Sequence, residues 1–219
     1  MRAFTVSLAV FSMLAGSAAV FADPIPYPDV GSVAPTETLI ATAAGSVDTY
    51  FYGFSAVDVD YVEILDLTRG TNTGFMLDNQ TSATGEEGTP LAVNAGDVLA
   101  VDLENTTQSD IIFSTDPSLS TDGVNHGYIT SYSSSTDGPL GSSGVPSGVY
   151  VGMEDLDAAL TTDYDYNDET IVLTDVAFSA GPVPDVISAG QAPERGSIAL
   201  VGTGILAAAS LVRRRLRAR

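Results

Sequence analysis

The chain is 219 residues long and carries 28 Asp and Glu against 8 basic residues, all of them Arg, for a formal net charge of −20. A surface so acidic repels nucleic acid and anionic lipid and attracts cations. The absence of cysteine excludes a disulfide framework and a thiolate nucleophile, and the single histidine, His126, excludes a zinc site built from several imidazoles.

At the N-terminus, Arg2 precedes an apolar run from Ala3 to Val20, and Val20-Phe21-Ala22 places small or β-branched residues where a signal peptidase reads. Asp23-Pro24 breaks any helix beyond that point. Residues 1–22 are therefore expected to be a signal peptide cleaved after Ala22. The run is short and its exit polar, which fits an uncleaved membrane anchor less well.

Residues 23–180 hold almost all the acids, and Arg69 is the one base among them. This length supports one domain with a sizeable core. Short stretches rich in Val, Ile, Tyr, Phe and Thr recur between clusters of Gly, Asn, Asp and Ser, which is the pattern of strands joined by tight turns. Strands are predicted at 38–43, 48–54, 60–66, 73–77, 91–93, 98–103, 110–114, 127–133, 149–153 and 170–178. Asn94-Ala95-Gly96-Asp97 reads as the turn that feeds the strand beginning at Val98. No long helical period occurs, and 156–162 supports one short helical turn at most. The expected fold is all-β, a single antiparallel β-sandwich of jelly-roll type. Residues 131–148 are nearly all Ser, Gly, Thr, Pro and Asp and read as an exposed loop.

The stretch 149–173 carries the most chemistry. Gly152-Met153-Glu154-Asp155-Leu156 is followed by Asp163-Tyr164-Asp165-Tyr166-Asn167-Asp168, and predicted strands flank both acidic groups. A hairpin would bring Glu154, Asp155, Asp157, Asp163, Asp165 and Asp168 to one end. Carboxylates that close repel one another unless something positive sits among them. Calcium suits such a set, because it accepts six to eight oxygens in flexible geometry. Glu154, Asp155, Asp163, Asp165, Asn167 and Asp168 are the candidate ligands. The order of Asp163, Asp165 and Asn167 imitates the start of an EF-hand loop. Asp168 then replaces the turn glycine and Thr174 the bidentate glutamate, so an EF-hand is rejected. The other reading of the stretch is a set of Asx turns, in which the side chains satisfy backbone N–H groups without metal.

Nothing here points to an enzyme. His126 has serines and aspartates around it, but no Gly-x-Ser-x-Gly elbow accompanies it. Paired carboxylates can cleave glycosides, yet the chain has no tryptophan to serve as a sugar platform.

Residues 181–192, with Pro182 and Pro184, read as an extended spacer. From Gly196 to Val212 there is no charge, and Arg213, Arg214, Arg215, Arg217 and Arg219 follow at once. The apolar stretch is marginal for a transmembrane helix, which needs about 20 residues. Its basic tail is expected on the cytoplasmic side, leaving the domain outside.

Pro193-Glu194-Arg195, the apolar segment and the arginine cluster together resemble the PEP-CTERM sorting signal of Gram-negative bacteria. In that family Pro-Glu-Pro precedes a short transmembrane helix and a basic terminus; here Arg195 takes the third place of the motif. The resemblance implies sorting of residues 193–219 by an exosortase-like processing enzyme, or retention as a membrane anchor. The stretch 149–173 resembles an exported bacterial family classed as domain of unknown function number 4114. That family carries a Gly-aromatic-Glu-Asp-Leu element and then Asp-x-Asp-Tyr-Asn-Asp ahead of a final apolar strand. Glu154, Asp155, Leu156, Asp165, Tyr166, Asn167 and Asp168 match, while Met153 replaces the aromatic residue. Asp122-Gly123-Val124-Asn125-His126 is similar to the family's upstream Asp-Gly-x-x-His element. This resemblance implies a β-sandwich over most of 36–178 with cation binding and no established activity.

The function expected is that of an exported structural or adhesive module of the envelope or extracellular matrix. Its partners would be the membrane, an exosortase-like enzyme, calcium and an exopolysaccharide, and not nucleic acid. The alternative is a carbohydrate-binding module that uses Tyr50, Tyr52, Tyr128, Tyr132, Tyr150, Tyr164 and Tyr166 as exposed aromatics.

Overall fold

A computed structural model describes residues 25–109, 111–137, 144–159 and 162–180. The signal peptide, the spacer and the sorting segment predicted from the sequence lie outside the described residues. The strands are β1 (Glu37–Ala41), β2 (Gly45–Val47), β3 (Thr49–Gly53), β4 (Asp60–Asp66), β5 (Thr71–Asn72), β6 (Leu91–Val93), β7 (Val98–Asn105), β8 (Ile111–Ser114), β9 (Gly127–Tyr132), β10 (Gly148–Met153), β11 (Glu169–Leu173) and β12 (Val176–Ala180). Among the described residues there is no helix, and so none long and apolar enough to cross a membrane.

All strand pairings are antiparallel, and they form two principal sheets. The six-stranded sheet runs β12-β1-β7-β4-β5, with β8 also paired to β7; the four-stranded sheet runs β3-β11-β10-β9. β4 pairs β7 along its whole length, from Asp60 opposite Asn105 to Asp66 opposite Leu99. β1 and β8 therefore share the other edge of β7, at Val98–Leu99 and at Asp102–Asn105. β2 and β6 make a small separate pair.

Alternation along the strands builds the core. In β4 every second residue is buried, and Val62 and Ile64 face inward from the same side as Asp60 and Asp66. Leu99, Val101 and Leu103 of β7 join them, and Phe51, Val149, Val151, Met153, Ile171 and Leu173 of the four-stranded sheet complete the same apolar cluster. One core thus draws on both sheets, as the layered arrangement of a β-sandwich requires.

The sequence reading needs three corrections. The strand predicted at 73–77 is absent, because Gly74 and Leu77 both adopt positive φ and break the extended run; only Met76 bridges β4, opposite Val62. The strand predicted at 170–178 is two strands. At Asp175, whose φ is 57°, the chain leaves the four-stranded sheet as β11 and enters the six-stranded sheet as β12. The loop predicted at 131–148 is not wholly exposed, since Val145 is buried against Tyr52, Tyr132, Tyr150 and Val172 on the outer face of the four-stranded sheet.

Candidate metal centre

β10 and β11 form a hairpin with Val149 opposite Leu173 at one end and Met153 opposite Glu169 at the other. The acidic residues begin where this ladder stops. Asp168 donates its N–H to the Met153 carbonyl at 3.1 Å, and Asp155 donates its N–H to Asp168 Oδ2 at 2.9 Å. The two arms are thereby held against each other one residue beyond the last strand pair. Gly152 makes the close approach possible, because a Cβ at that position would collide with the Tyr166 carbonyl.

Three further contacts fix the loop between the arms. Tyr166 is fully buried, its hydroxyl accepts the Ala34 N–H at 2.7 Å, and its ring stands edge-on to Tyr27 at 4.9 Å. Tyr164 and Tyr166 both take positive φ, a conformation costing about 1–3 kcal/mol for such residues that the buried ring helps to hold. Asp122 Oδ2 accepts both the Ala158 N–H and a contact from His126 Nε2, each at 2.9 Å. His126 is itself buried against Phe113, and its other ring nitrogen lies 3.2 Å from the Glu154 carbonyl. The Asp122–His126 element is thus a bracket behind the acidic loop.

The hairpin brings Glu154 together with Asp155 and Asp168, and also with Asp163 and Asp165. In each of these two groups one carboxylate oxygen from each residue lies within 4.8 Å of the others. Oxygens bound about 2.3–2.6 Å from one calcium ion can be at most about 5 Å apart, so either group could hold a metal ion. Glu154 is common to both. It is 1% exposed, and neither of its carboxylate oxygens has a hydrogen-bond partner, the Thr162 hydroxyl lying near enough to ease its charge without completing a bond.

Other acids of the stretch are Asx-type supports. Asp157 Oδ1 accepts the Ala159 N–H at 2.7 Å. Asn167 directs its amide nitrogen to Asp165 Oδ2 at 2.5 Å, so it supports a member of the Glu154–Asp163–Asp165 group. The two sequence-based readings therefore coexist: Asp157 supports an Asx turn, Asp165 both accepts the Asn167 N–H at 3.3 Å and belongs to a carboxylate group, and Glu154 has no such partner.

Burial and mutual repulsion raise the carboxyls together. Burial is the larger cause for Glu154, pushed up to about 8, with Asp168, Asp163 and Asp165 adding repulsion. Asp155 is likewise pushed up to about 8 by burial and then by Asp60, Asp58 and Glu154. Asp168 reaches about 8 through burial and Asp155, although the Asp155 N–H draws it back in part. Groups with such pKa values bind protons or a cation near neutral pH, whichever is available.

Two acids of this region are absent from the sequence-based ligand set. Asp60 of β4 and Glu169 of β11 are both 0% exposed and face the acidic end of the core. Glu169 carried a local signal, as it adjoins Asp168; Asp60 carried none, because β4 belongs to the other sheet and only the shared core of the two sheets brings it toward the hairpin. The tyrosines suggested as a sugar platform are mostly enclosed. Tyr52, Tyr132, Tyr150 and Tyr166 are buried, and Tyr50, Tyr128 and Tyr164 are half-buried. Compared with known proteins, the chain matches no family model, no curated protein and no solved structure.

Proposed function

We propose that this protein is an exported, non-catalytic module of the cell envelope or extracellular matrix whose β domain binds calcium at the Glu154 loop. In this reading residues 23–180 form a single antiparallel β-sandwich of jelly-roll type, and 193–219 tether the chain to the membrane until an exosortase-like enzyme processes it. Calcium stiffens the loop side of the domain and favours adhesive contact with an exopolysaccharide.

The observation that carries the reading is Glu154. A carboxylate that is 1% exposed, has no hydrogen-bond partner and stands among Asp155, Asp163, Asp165 and Asp168 is costly to bury unless a positive charge joins it. No Arg stands among these acids: among the described residues the Arg–carboxylate pair is Arg69 with Asp66, and His126 Nε2 turns to Asp122 at 2.9 Å. Calcium is favoured over magnesium because it accepts carboxylates in mono- or bidentate, irregular arrangements, whereas magnesium demands near-octahedral geometry and retains its water.

Calorimetric titration of the full chain in mild detergent, at fixed ionic strength, tests the proposal. The expected result is calcium binding at least tenfold tighter than magnesium binding, abolished by Glu154→Gln. Equal responses to the two ions that survive Glu154→Gln would reduce the acids to a solvated face.

A further inference from the structure

Residues 25–36 belong to no sheet. Pro26, Pro28 and Pro35 lack the N–H that a strand ladder needs and bias the residue before each toward extended backbone. Those three preceding residues, Ile25, Tyr27 and Ala34, are the ones that dock. Ile25 packs against the tyrosine cluster on the outer face of the four-stranded sheet, and the buried Tyr27 has its ring 4.9 Å from those of Tyr128 and Tyr166. Ala34 is buried, and it donates its N–H to the Tyr166 hydroxyl at 2.7 Å. Between the docked ends Gly31 takes a φ of 88° in a turn closed by the Ser32 N–H on the Asp29 carbonyl, and Val30 and Val33 stand exposed. The segment is a strap with two held ends and an open bow.

The strap docks on the acidic loop itself. In the run 163–166 the aspartates and the tyrosines serve different neighbours. Asp163 and Asp165 join Glu154 in one carboxylate group, whereas Tyr164 and Tyr166 lie ring against ring at 6.2 Å and Tyr166 receives Tyr27 and Ala34. Both tyrosines hold positive φ, so the backbone that aims the carboxylates also aims the rings. The bracket behind the loop grips the strap as well. Asn125 donates its amide to the Ala34 and Pro35 carbonyls at 2.9 and 3.2 Å, and the adjoining His126 has its Nδ1 3.2 Å from the Glu154 carbonyl.

We infer that the strap 25–35 is coupled to the cation position at Glu154, Asp163 and Asp165: a bound divalent cation tightens the strap, and the docked strap raises the affinity for the cation. The inference rests on the proposed function for the cation and adds what its binding regulates. Uncompensated, the like charges of Glu154, Asp163 and Asp165 repel, and a loop that moves Asp163 and Asp165 apart takes Tyr166 away from Tyr27 and Ala34. A cation removes the repulsion and fixes the rings in place. Such coupling is reciprocal, so an opened strap costs affinity at carboxylates it does not touch. Its effect reaches the surface at Val30 and Val33 on the bow.

Calorimetric titration with calcium, and hydrogen exchange with and without it, test the coupling on the full chain in mild detergent at fixed pH and ionic strength. Calcium is expected to slow exchange at the Ala34 N–H by about fivefold or more, the lower end of ordinary coupling between sites. Tyr27→Ala is expected to weaken calcium binding by a similar factor, while Val30→Ser, on the open bow, leaves it unchanged. Calcium that binds the wild type yet leaves Ala34 exchange unaltered, or that binds Tyr27→Ala as it binds the wild type, overturns the coupling and leaves the proposed function standing. No calcium binding by the wild type overturns the proposed function and the coupling with it. Should Tyr27→Ala fail to fold, cleavage by elastase at the valines of the bow gives the second reading. Calcium is expected to slow that cleavage in the wild type and not in Glu154→Gln; equal rates with and without calcium in the wild type overturn the coupling.

Discussion

The core strands run from apolar to acidic toward the hairpin loop, while at the far end of β4 the inward acid Asp66 accepts the Thr68 and Arg69 N–H groups. β4 places Ile64 and Val62 inward and then Asp60; β11 places Leu173 and Ile171 inward and then Glu169; β10 ends at Met153, and Glu154 and Asp155 follow. Both ends are buried. At the apolar end burial is itself the driving force, each side chain contributing about 1.5–3 kcal/mol. At the acidic end burial opposes folding until protons or a cation neutralise the charge. Burial alone therefore does not say what stabilises a region: one end of this core is satisfied by apolar contact, and the other gathers carboxylates that could hold a metal ion.

The largest expected effect breaks the apolar end. Ile64 is 0% exposed in the shared cluster, and Ile64→Ala is expected to cost about 2–5 kcal/mol by urea denaturation. The loss should be the same in calcium and in EDTA, because the cavity lies away from the acids. A loss present only in EDTA would mean that the two ends are not separable.

Next comes calcium itself. At 100 times its dissociation constant, an ion that binds only the folded state adds about 2.7 kcal/mol, a rise of several degrees in melting temperature. Glu154→Gln should remove most of that gain while leaving the domain folded in EDTA, since it takes away a buried charge. A calcium gain undiminished in Glu154→Gln would place the ion elsewhere.

The strands and the acids were legible in the sequence to different depths. Strands 60–66 and 91–93 have their predicted bounds, because turn residues flank them and their Val, Ile and Tyr favour extended backbone. The acidic hairpin was legible because both of its strands and both of its acidic groups lie within one short stretch. Asp60 was not, since β4 is distant from the hairpin in the chain and is linked to it through Asn105, which lies opposite Asp60 and donates its amide to the Asp155 carbonyl. The sheet switch at Asp175 was hidden for another reason: a non-glycine residue with positive φ leaves no mark in an otherwise strand-like run. The sequence offers the tyrosines as exposed aromatics, but composition does not tell an open outer face from one covered by Val145 and Ile25.

pH sharpens the comparison with a smaller effect. Glu154, Asp155 and Asp168 stand near 8 in the folded domain and return on unfolding to the ordinary carboxylate range, about 4. Folding therefore takes up protons between those values. The cation-free domain gains stability as pH falls toward 5 and loses it as pH rises through about 8. Asp122 works in the opposite direction: burial pushes it up, but the Ala158 and Val124 N–H groups and His126 more than offset this, so its contribution fades only below about pH 4. Calorimetry in EDTA is expected to give a higher melting temperature at pH 5 than at pH 8.5, and saturating calcium should narrow or reverse that order. A higher melting temperature at pH 8.5 in EDTA would contradict the assignment of a strained acidic end.

The smallest effect is expected at Asp157, which supports a turn by accepting the Ala159 N–H. Asp157→Asn keeps that acceptor and should change stability by no more than about 0.5 kcal/mol, with the calcium response of the wild type retained. A lost response would move Asp157 from the turn into the ligand set.

The central claim, that a cation completes the acidic end of this core, is tested most directly by locating the ion. Crystals grown with calcium and measured at a wavelength where its anomalous scattering is appreciable should give a peak about 2.3–2.6 Å from the carboxylate oxygens of Glu154. A calcium-saturated crystal with no anomalous peak at the hairpin, or with peaks only at exposed surface acids, would contradict the account.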